Sequence, residues 1–146
     1  KNKNIDFLQD ISYLKDKKTF QNLKIKKHDF SIWPQFYPTS CISLRRKFFT
    51  SFLKYIKNKN FENLEIDARV SMFAHLHKKF LVLNKSFTVY NFDKNGISSR
   101  YKKYSINWWK KRNEAFSYLL ILHNKLRLNF LYSMDFYLTR FINFFI

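Results

Sequence analysis

The stretch Phe80-Leu81-Val82-Leu83-Asn84-Lys85-Ser86-Phe87-Thr88-Val89-Tyr90 decides the fold class. Its two apolar runs are of strand length, and the second is β-branched and aromatic, a composition that suits a pleated, half-buried surface. Asn84-Lys85-Ser86 has turn chemistry between them, so the sequence predicts two short strands joined as a small β-hairpin. Asp93-Lys94-Asn95-Gly96 reads as a further turn, with the single glycine of the chain at a position suited to positive φ. Helical periodicity lies on both sides of this stretch. The expected class is therefore α+β and mainly helical.

Working upstream, a helix is predicted from residue 65 or 67 to residue 78, with Ile66, Val70, Phe73 and then Leu76 or His77 on its face. A polar break covers residues 58–63. Residues 43–57 predict another helix, with Phe48, Phe49, Phe52, Leu53, Tyr55 and Ile56 on its apolar face and Arg45, Arg46, Lys47 and Lys54 mostly elsewhere. Ile5, Leu8, Ile11 and either Tyr13 or Leu14 predict a short helix over 4–14, with Asn4 as N-cap. Residues 15–30 are strongly basic, and 23–25 form at most a short strand. Trp33-Pro34-Gln35-Phe36-Tyr37-Pro38 reads as an extended connector, because each proline disfavours helix at the residue before it.

Working downstream, Ser105 or Asn107 starts a helix carrying Trp109, Phe116, Leu119, Leu120 and Leu126 on one side. Ser133, with Asp135 in the first turn, starts a last helix through Tyr137, Leu138, Phe141 and Phe145. The expected organisation is a basic N-terminal arm with a short helix (1–42), a helix-helix-hairpin core (43–99) and a C-terminal helical segment (100–146). There is no internal repeat or low-complexity tract.

At 146 residues the chain has room for one core with arms. Apolar residues make up 46% and aromatics 21%, which excludes a disordered basic tail. Lys and Arg number 28 against 10 Asp and Glu, a formal net charge of +18 that calls for a polyanionic partner. Abundant Lys, Asn, Ile, Phe and Tyr are the products of A+T-rich codons, as in organelle genomes of protists. Such a bias does not by itself choose Lys over Glu, so the charge imbalance survives that discount.

Cys41 is the single cysteine, which excludes an internal disulfide and a multi-Cys zinc site. One glycine cannot build a glycine-rich phosphate loop. No apolar run approaches the roughly eighteen residues of a spanning helix. Residues 115–124 come nearest and are closed by Lys125 and Arg127; 128–134 and 141–146 are shorter. The amino terminus carries Asp6 and Asp10 and no apolar signal core. It opens on Lys1 and not on Met, which leaves room for the gene product to begin upstream.

Chemistry-bearing patterns are sparse. His75 and His77 are two apart, on different sides of a helix, with no carboxylate or Cys at ligand spacing. Nothing in the sequence marks His28 or His123 as a base for Cys41. Asp6 with Asp10, and Glu62 with Glu65, have helix-neighbour spacings that surface and capping roles explain. No cofactor, metal or small-molecule substrate is implied, and the chain is not expected to be an enzyme.

The basic clusters are the stronger signal. Arg45-Arg46-Lys47 precedes Phe48-Phe49, and Lys78-Lys79 sits at a helix-to-strand junction. Arg100-Tyr101-Lys102-Lys103-Tyr104 leads into Trp108-Trp109-Lys110-Lys111-Arg112. Lys and Arg neutralise phosphates, while Tyr and Trp stack on unpaired bases. Trp108 and Trp109 cannot both face the core from one helix, so one of them is either exposed or at an interface. There is no zinc finger, heptad zipper or glycine-bearing helix-turn-helix, and basic segments around a small core suit structured RNA better than DNA.

The centre of the chain resembles the alpha-L RNA-binding module, the S-four-type domain of a small-subunit ribosomal protein. Met72-Phe73-Ala74-His75-Leu76 matches its second helix, and Phe49-Thr50-Ser51-Phe52-Leu53-Lys54-Tyr55-Ile56 is similar to its first. Leu81-Val82-Leu83-Asn84 and Lys85-Ser86-Phe87-Thr88-Val89 match its two strands, and Lys94-Asn95-Gly96 its closing turn. The chain departs from the pattern at Phe73, where the module has Arg, after Asn84, where it has Gly, and at Ile97, where it has Asp. The resemblance implies a helix-helix-hairpin and RNA contacts near Arg69, Lys78 and Lys79.

These readings lead to one expectation: a structural, rRNA-binding constituent of a mitochondrial ribosome, in its matrix location, more suited to the small subunit. Its partners would be rRNA and neighbouring ribosomal proteins. The RNA-binding set is expected to comprise Arg45, Arg46, Lys47, Lys54, Arg69, Lys78, Lys79, Arg100, Lys102, Lys103, Trp108, Lys110, Lys111 and Arg112. Two rivals are a peripheral matrix-side subunit of a respiratory complex, with its basic surface on anionic lipid, and an organellar DNA- or intron-RNA-binding factor.

Overall fold

Two runs of chain, 7–14 and 80–90, lie side by side and organise the first half of the molecule. The computed structural model describes residues 5–21, 38–56, 61–77, 79–91, 96 and 100–146. The chain is an α+β protein that divides into two compact units, 1–59 with 66–93, and 60–65 with 94–146.

In the first unit, strands β1 (Phe7–Gln9), β2 (Ser12–Leu14) and β3 (Thr19–Phe20) are followed by a 3-10 turn at Thr39–Cys41 and strand β4 (Ile42–Leu44). Helices α1 (Arg46–Ile56) and α2 (Ile66–Leu76) come next, then strands β5 (Phe80–Val82) and β6 (Thr88–Tyr90). The strands form two three-stranded sheets, ordered β4-β1-β5 and β3-β2-β6. Both β1 with β5 and β2 with β6 pair in parallel.

This topology corrects two expectations. The helix over 4–14 does not form, and residues 5–21, expected as an arm, supply strands to both sheets. Phe7, Gln9 and Ser12 are the buried side chains there, whereas Leu8 and Ile11, on which the helical spacing rested, are only half-buried. Partners more than seventy residues away override a local period. Nor do β5 and β6 pair as a hairpin; each adds to an N-terminal strand in a different sheet. Leu83 donates to the Gln9 carbonyl at 2.7 Å and Ile11 to that of Lys85 at 3.0 Å, so Asn84-Lys85-Ser86 bulges between two parallel ladders.

Asp10 ties this junction together. It is 5% exposed, and its carboxylate accepts from the backbone N–H of Phe87 at 2.8 Å and the Thr88 hydroxyl at 3.3 Å. Its own N–H donates to the Cys41 carbonyl at 3.1 Å. A buried carboxylate is tolerated because these donors replace its water.

Helix α1 begins later than the predicted residue 43, because residues 42–44 pair with β1 and Arg45 N–H donates to the Asp6 carbonyl at 2.9 Å. Its predicted apolar side is largely the one it buries. The rings of Phe48, Phe52 and Tyr55 surround Phe73 of α2 at 5.2, 5.6 and 5.0 Å, while Leu53 is 37% exposed. Helix α2 buries Val70, Ser71, Met72, Phe73 and Ala74, a consecutive run that goes all round the helix. It is enclosed by its neighbours rather than amphipathic, and Ile66, expected on its inner face, is 45% exposed. Residues 22–37, holding the predicted strand and most of the proline-bounded connector, lie outside the described residues, as does most of the predicted turn at 93–96.

The second unit is an αα-hairpin with a strap. Helix α3 (Ile106–Leu126) and helix α4 (Met134–Phe144) start where predicted. The Ser105 hydroxyl accepts from Trp108 N–H and the Ser133 hydroxyl from Phe136 N–H, each at 3.2 Å, satisfying donors that the first turn leaves open. Arg127 ends α3 in the left-handed region at φ 54°, a conformation more usual for glycine. Residues 61–65 lie against α3. Glu114 accepts from the backbone N–H groups of Asn63 and Leu64 at 2.8 and 2.9 Å, and the Phe61 ring meets Tyr118 edge-on at 5.5 Å.

Helix α4 turns inward the side that carries Phe136 and Thr139. It packs on α3 through Phe136, which meets Phe116 edge-on at 5.3 Å, with Thr139 buried beside it. Arg140 donates to Asn113 at 2.7 Å and to Ser117 at 2.9 Å, and Asn143 donates to the Trp109 carbonyl at 3.1 Å. Tyr137, Leu138, Phe141 and Phe145, the apolar residues through which the helix was read, are exposed. Period alone marks an apolar stripe without saying whether this chain covers it.

Candidate nucleic-acid interface

The expected cationic side chains separate into two groups once their partners are known. On α1, burial of Phe48, Phe52 and Tyr55 turns Arg46, Lys47 and Lys54 outward, and they line one shallow depression with Thr50 and Ser51. The helix period sets this arrangement, since residues 46, 50 and 54 are one turn apart. The depression offers three cations and two hydroxyls and no carboxylate, a surface chemically suited to phosphate.

Arg45 and Lys79 share a carboxylate partner within the protein. Lys79 Nζ lies 2.6 Å from Asp6, and Arg45 lies 3.5 Å from the other oxygen of the same carboxylate. They fasten the start of β1 to its two neighbours, although Arg45 remains 60% exposed. Arg69 is half-buried on α2. Lys78 lies outside the described residues.

In the second unit, Arg100, Lys102, Lys103 and Lys110 are exposed. Lys111 and Arg112 turn inward. Lys111 Nζ is 2.6 Å from Glu65 and 4.3 Å above the Tyr101 ring. Burial first of all, and then the Glu65 and Glu114 carboxylates, raise the Tyr101 hydroxyl above its usual pKa. Arg112 is ion-paired with Asp135, its Nε 3.2 Å from the carboxylate, and lies 5.0 Å from the Trp108 ring and 5.6 Å from that of Phe116. Desolvation lowers its pKa without removing its charge.

Trp108 and Trp109 are half-buried and meet edge to face at 4.6 Å. Arg112 lies over the Trp108 ring, which leaves less of that ring free for the stacking expected of it. Tyr104 is 65% exposed, meets Trp108 edge-on at 5.4 Å, and has Lys103 Nζ 4.7 Å from its ring. It belongs to the basic and aromatic cluster read from the sequence, and the structure places it just before the Ser105 cap with a φ of 67°.

The weaker chemical candidates resolve into packing. His77 Nδ1 lies 2.8 Å from the Phe73 carbonyl, and its ring is 4.0 Å from that of Phe73. His75 packs edge-on to Phe80 at 6.2 Å, and partial desolvation lowers its pKa. No group of three or more His, Cys, Asp or Glu among the described residues is placed to hold a metal. Cys41 is 1% exposed, and burial raises its thiol pKa, with the nearby Asp10 charge acting in the same direction. That shift is opposite to what an activated nucleophile requires.

No protein family, curated protein or solved structure matches the chain. Among the described residues no helix is long and apolar enough to cross a membrane.

Proposed function

We infer that the chain is a structural, non-catalytic, rRNA-binding constituent of the mitochondrial ribosome. The observation that carries this reading is the unequal fate of its charges. Asp6, Asp10, Glu65, Asp67, Glu114 and Asp135 all have partners within the protein. Among the described acids that leaves Asp16 and Glu62, both exposed, opposite a much larger set of outward Lys and Arg. An excess displayed on α1 and along 100–110 is the electrostatic footprint of a phosphate backbone. The mitochondrial assignment rests on the A+T-rich codon composition. Placement in the small subunit rests on the resemblance of the central segment, whose strands pair differently from the hairpin it implies.

One observation favours a second reading, a peripheral subunit of a respiratory complex. The outward side of α4 is apolar, with Phe141 64% and Phe144 83% exposed, and would pack on membrane subunits. Density-gradient sedimentation of an organelle lysate with and without RNase separates the two. Migration with a ribosomal subunit, lost on RNase treatment, supports the RNA reading. Migration with a respiratory complex, indifferent to RNase, overturns it.

A further inference from the structure

The sheet β3-β2-β6 carries a row of side chains that no role so far accounts for. Tyr13 stands opposite Phe20 on one side and Val89 on the other. Residues directly opposite share a face, so the three form one row across the sheet. Ser12 and Thr88 lie on the other face, where Ser12 is fully buried and Thr88 binds Asp10. Phe20 is 59% and Val89 62% exposed, Tyr13 is half-buried, and the Tyr13 and Phe20 rings meet edge-on at 5.3 Å. Phe87, two residues before Val89, is 74% exposed.

Such an exposed apolar row across a small sheet invites unwanted association unless something covers it. The flanking turn indicates what that is. Lys15, Asp16, Lys17 and Lys18 are all exposed, and the turn closes through Lys18 N–H to the Lys15 carbonyl at 3.3 Å. Lys85 is exposed in the bulge just before β6. An apolar protein surface would have to desolvate these ammonium groups without compensation. Planar bases can lie on the rings while their phosphates meet the lysines.

We propose that the β3-β2-β6 face is a stacking platform for a single-stranded segment of RNA, with Phe20 and Tyr13 under the bases and Lys15, Lys17 and Lys18 at the phosphates. Strands about 4.8 Å apart spread the row over roughly 10 Å, enough for about two nucleotides. This rests on the RNA-binding reading and adds a kind of RNA that the helical cations do not specify.

The test uses the full chain with two probes, a fluorescein-labelled oligouridylate and a blunt RNA duplex. Phe20→Ala is expected to weaken oligouridylate binding roughly five- to hundred-fold and duplex binding by less than about two-fold. Phe20→Trp should restore binding, with Trp emission quenched by the oligomer. Lys15→Gln/Lys17→Gln/Lys18→Gln should lower the slope of log affinity against log salt by about 0.7 for each phosphate no longer neutralised. If Phe20→Ala binds oligouridylate like the unaltered chain while Arg46→Gln/Lys47→Gln/Lys54→Gln loses RNA affinity, the platform fails and the RNA reading stands. Binding to duplex alone also sinks the platform. An unaltered chain that binds neither probe removes both.

Discussion

Replacing Glu114 with Ala removes one carboxylate that accepts three hydrogen bonds, from Asn63 N–H at 2.8 Å, Leu64 N–H at 2.9 Å and the Asn63 side-chain amide at 2.7 Å. Leu64 is 1% exposed, so water cannot replace its acceptor, whereas Asn63 is half-buried and recovers part of its loss. An orphaned buried N–H costs about 1–3 kcal/mol, which puts Glu114→Ala at roughly 2–4 kcal/mol. Glu114→Gln tests the origin of that figure. Its oxygen still serves the two backbone donors, and a turned-over Asn63 amide accepts from the new nitrogen. Only the charge assistance disappears, at about 1 kcal/mol. Urea unfolding followed by intrinsic tryptophan fluorescence reads both variants. With a slope near 1.5 kcal/mol per M, the midpoint should fall by roughly 2 M for Ala and by less than about 1 M for Gln. Equal losses for the two variants would refute a strap held by this carboxylate.

Further predictions concern the charges and the apolar faces. Arg46→Gln/Lys47→Gln/Lys54→Gln should lower the salt slope of duplex RNA binding by up to about 2.7, at unchanged thermal stability, since all three are exposed. Arg112→Met should act in the opposite way, with the salt slope intact and stability reduced by about 1–2 kcal/mol, discounted because Asp135 is 44% exposed. Phe136→Ala should cost about 3 kcal/mol or more in denaturant, whereas Phe141→Ser should stay within about 0.5 kcal/mol and raise solubility. Cys41 should resist alkylation until the chain unfolds. Its pKa is raised in the folded protein, so its contribution to stability is intact below the ordinary thiol value and lost as pH climbs through the raised one. Stability should therefore decline above about pH 8.5, and Cys41→Ala should remove that part of the decline in a pH series of melts.

What the sequence determined by itself is what depends on neighbours along the chain. Ser105 and Ser133 mark the starts of α3 and α4 because an N-cap bonds to a group three residues on. Phe48, Phe52 and Tyr55 mark the inner face of α1, and so place Arg46, Lys47 and Lys54 outside, because the helix period is local. The excess of cations is a matter of counting. Tertiary structure alone decided the remainder. Residues 7–14 became two strands because β5 and β6 add to them, and no local period reports a partner that distant. Lys79, Lys111 and Arg112 found carboxylate partners 73, 46 and 23 residues away, and Lys111 and Arg112 are largely withdrawn from the surface with them. Helix α4 was legible as a helix, yet its facing depended on Asn113, Ser117 and Trp109 offering partners to Arg140 and Asn143. Those polar bonds fasten the side of α4 that carries Phe136, and its aromatic stripe is left outward, which an exposed apolar side chain tolerates.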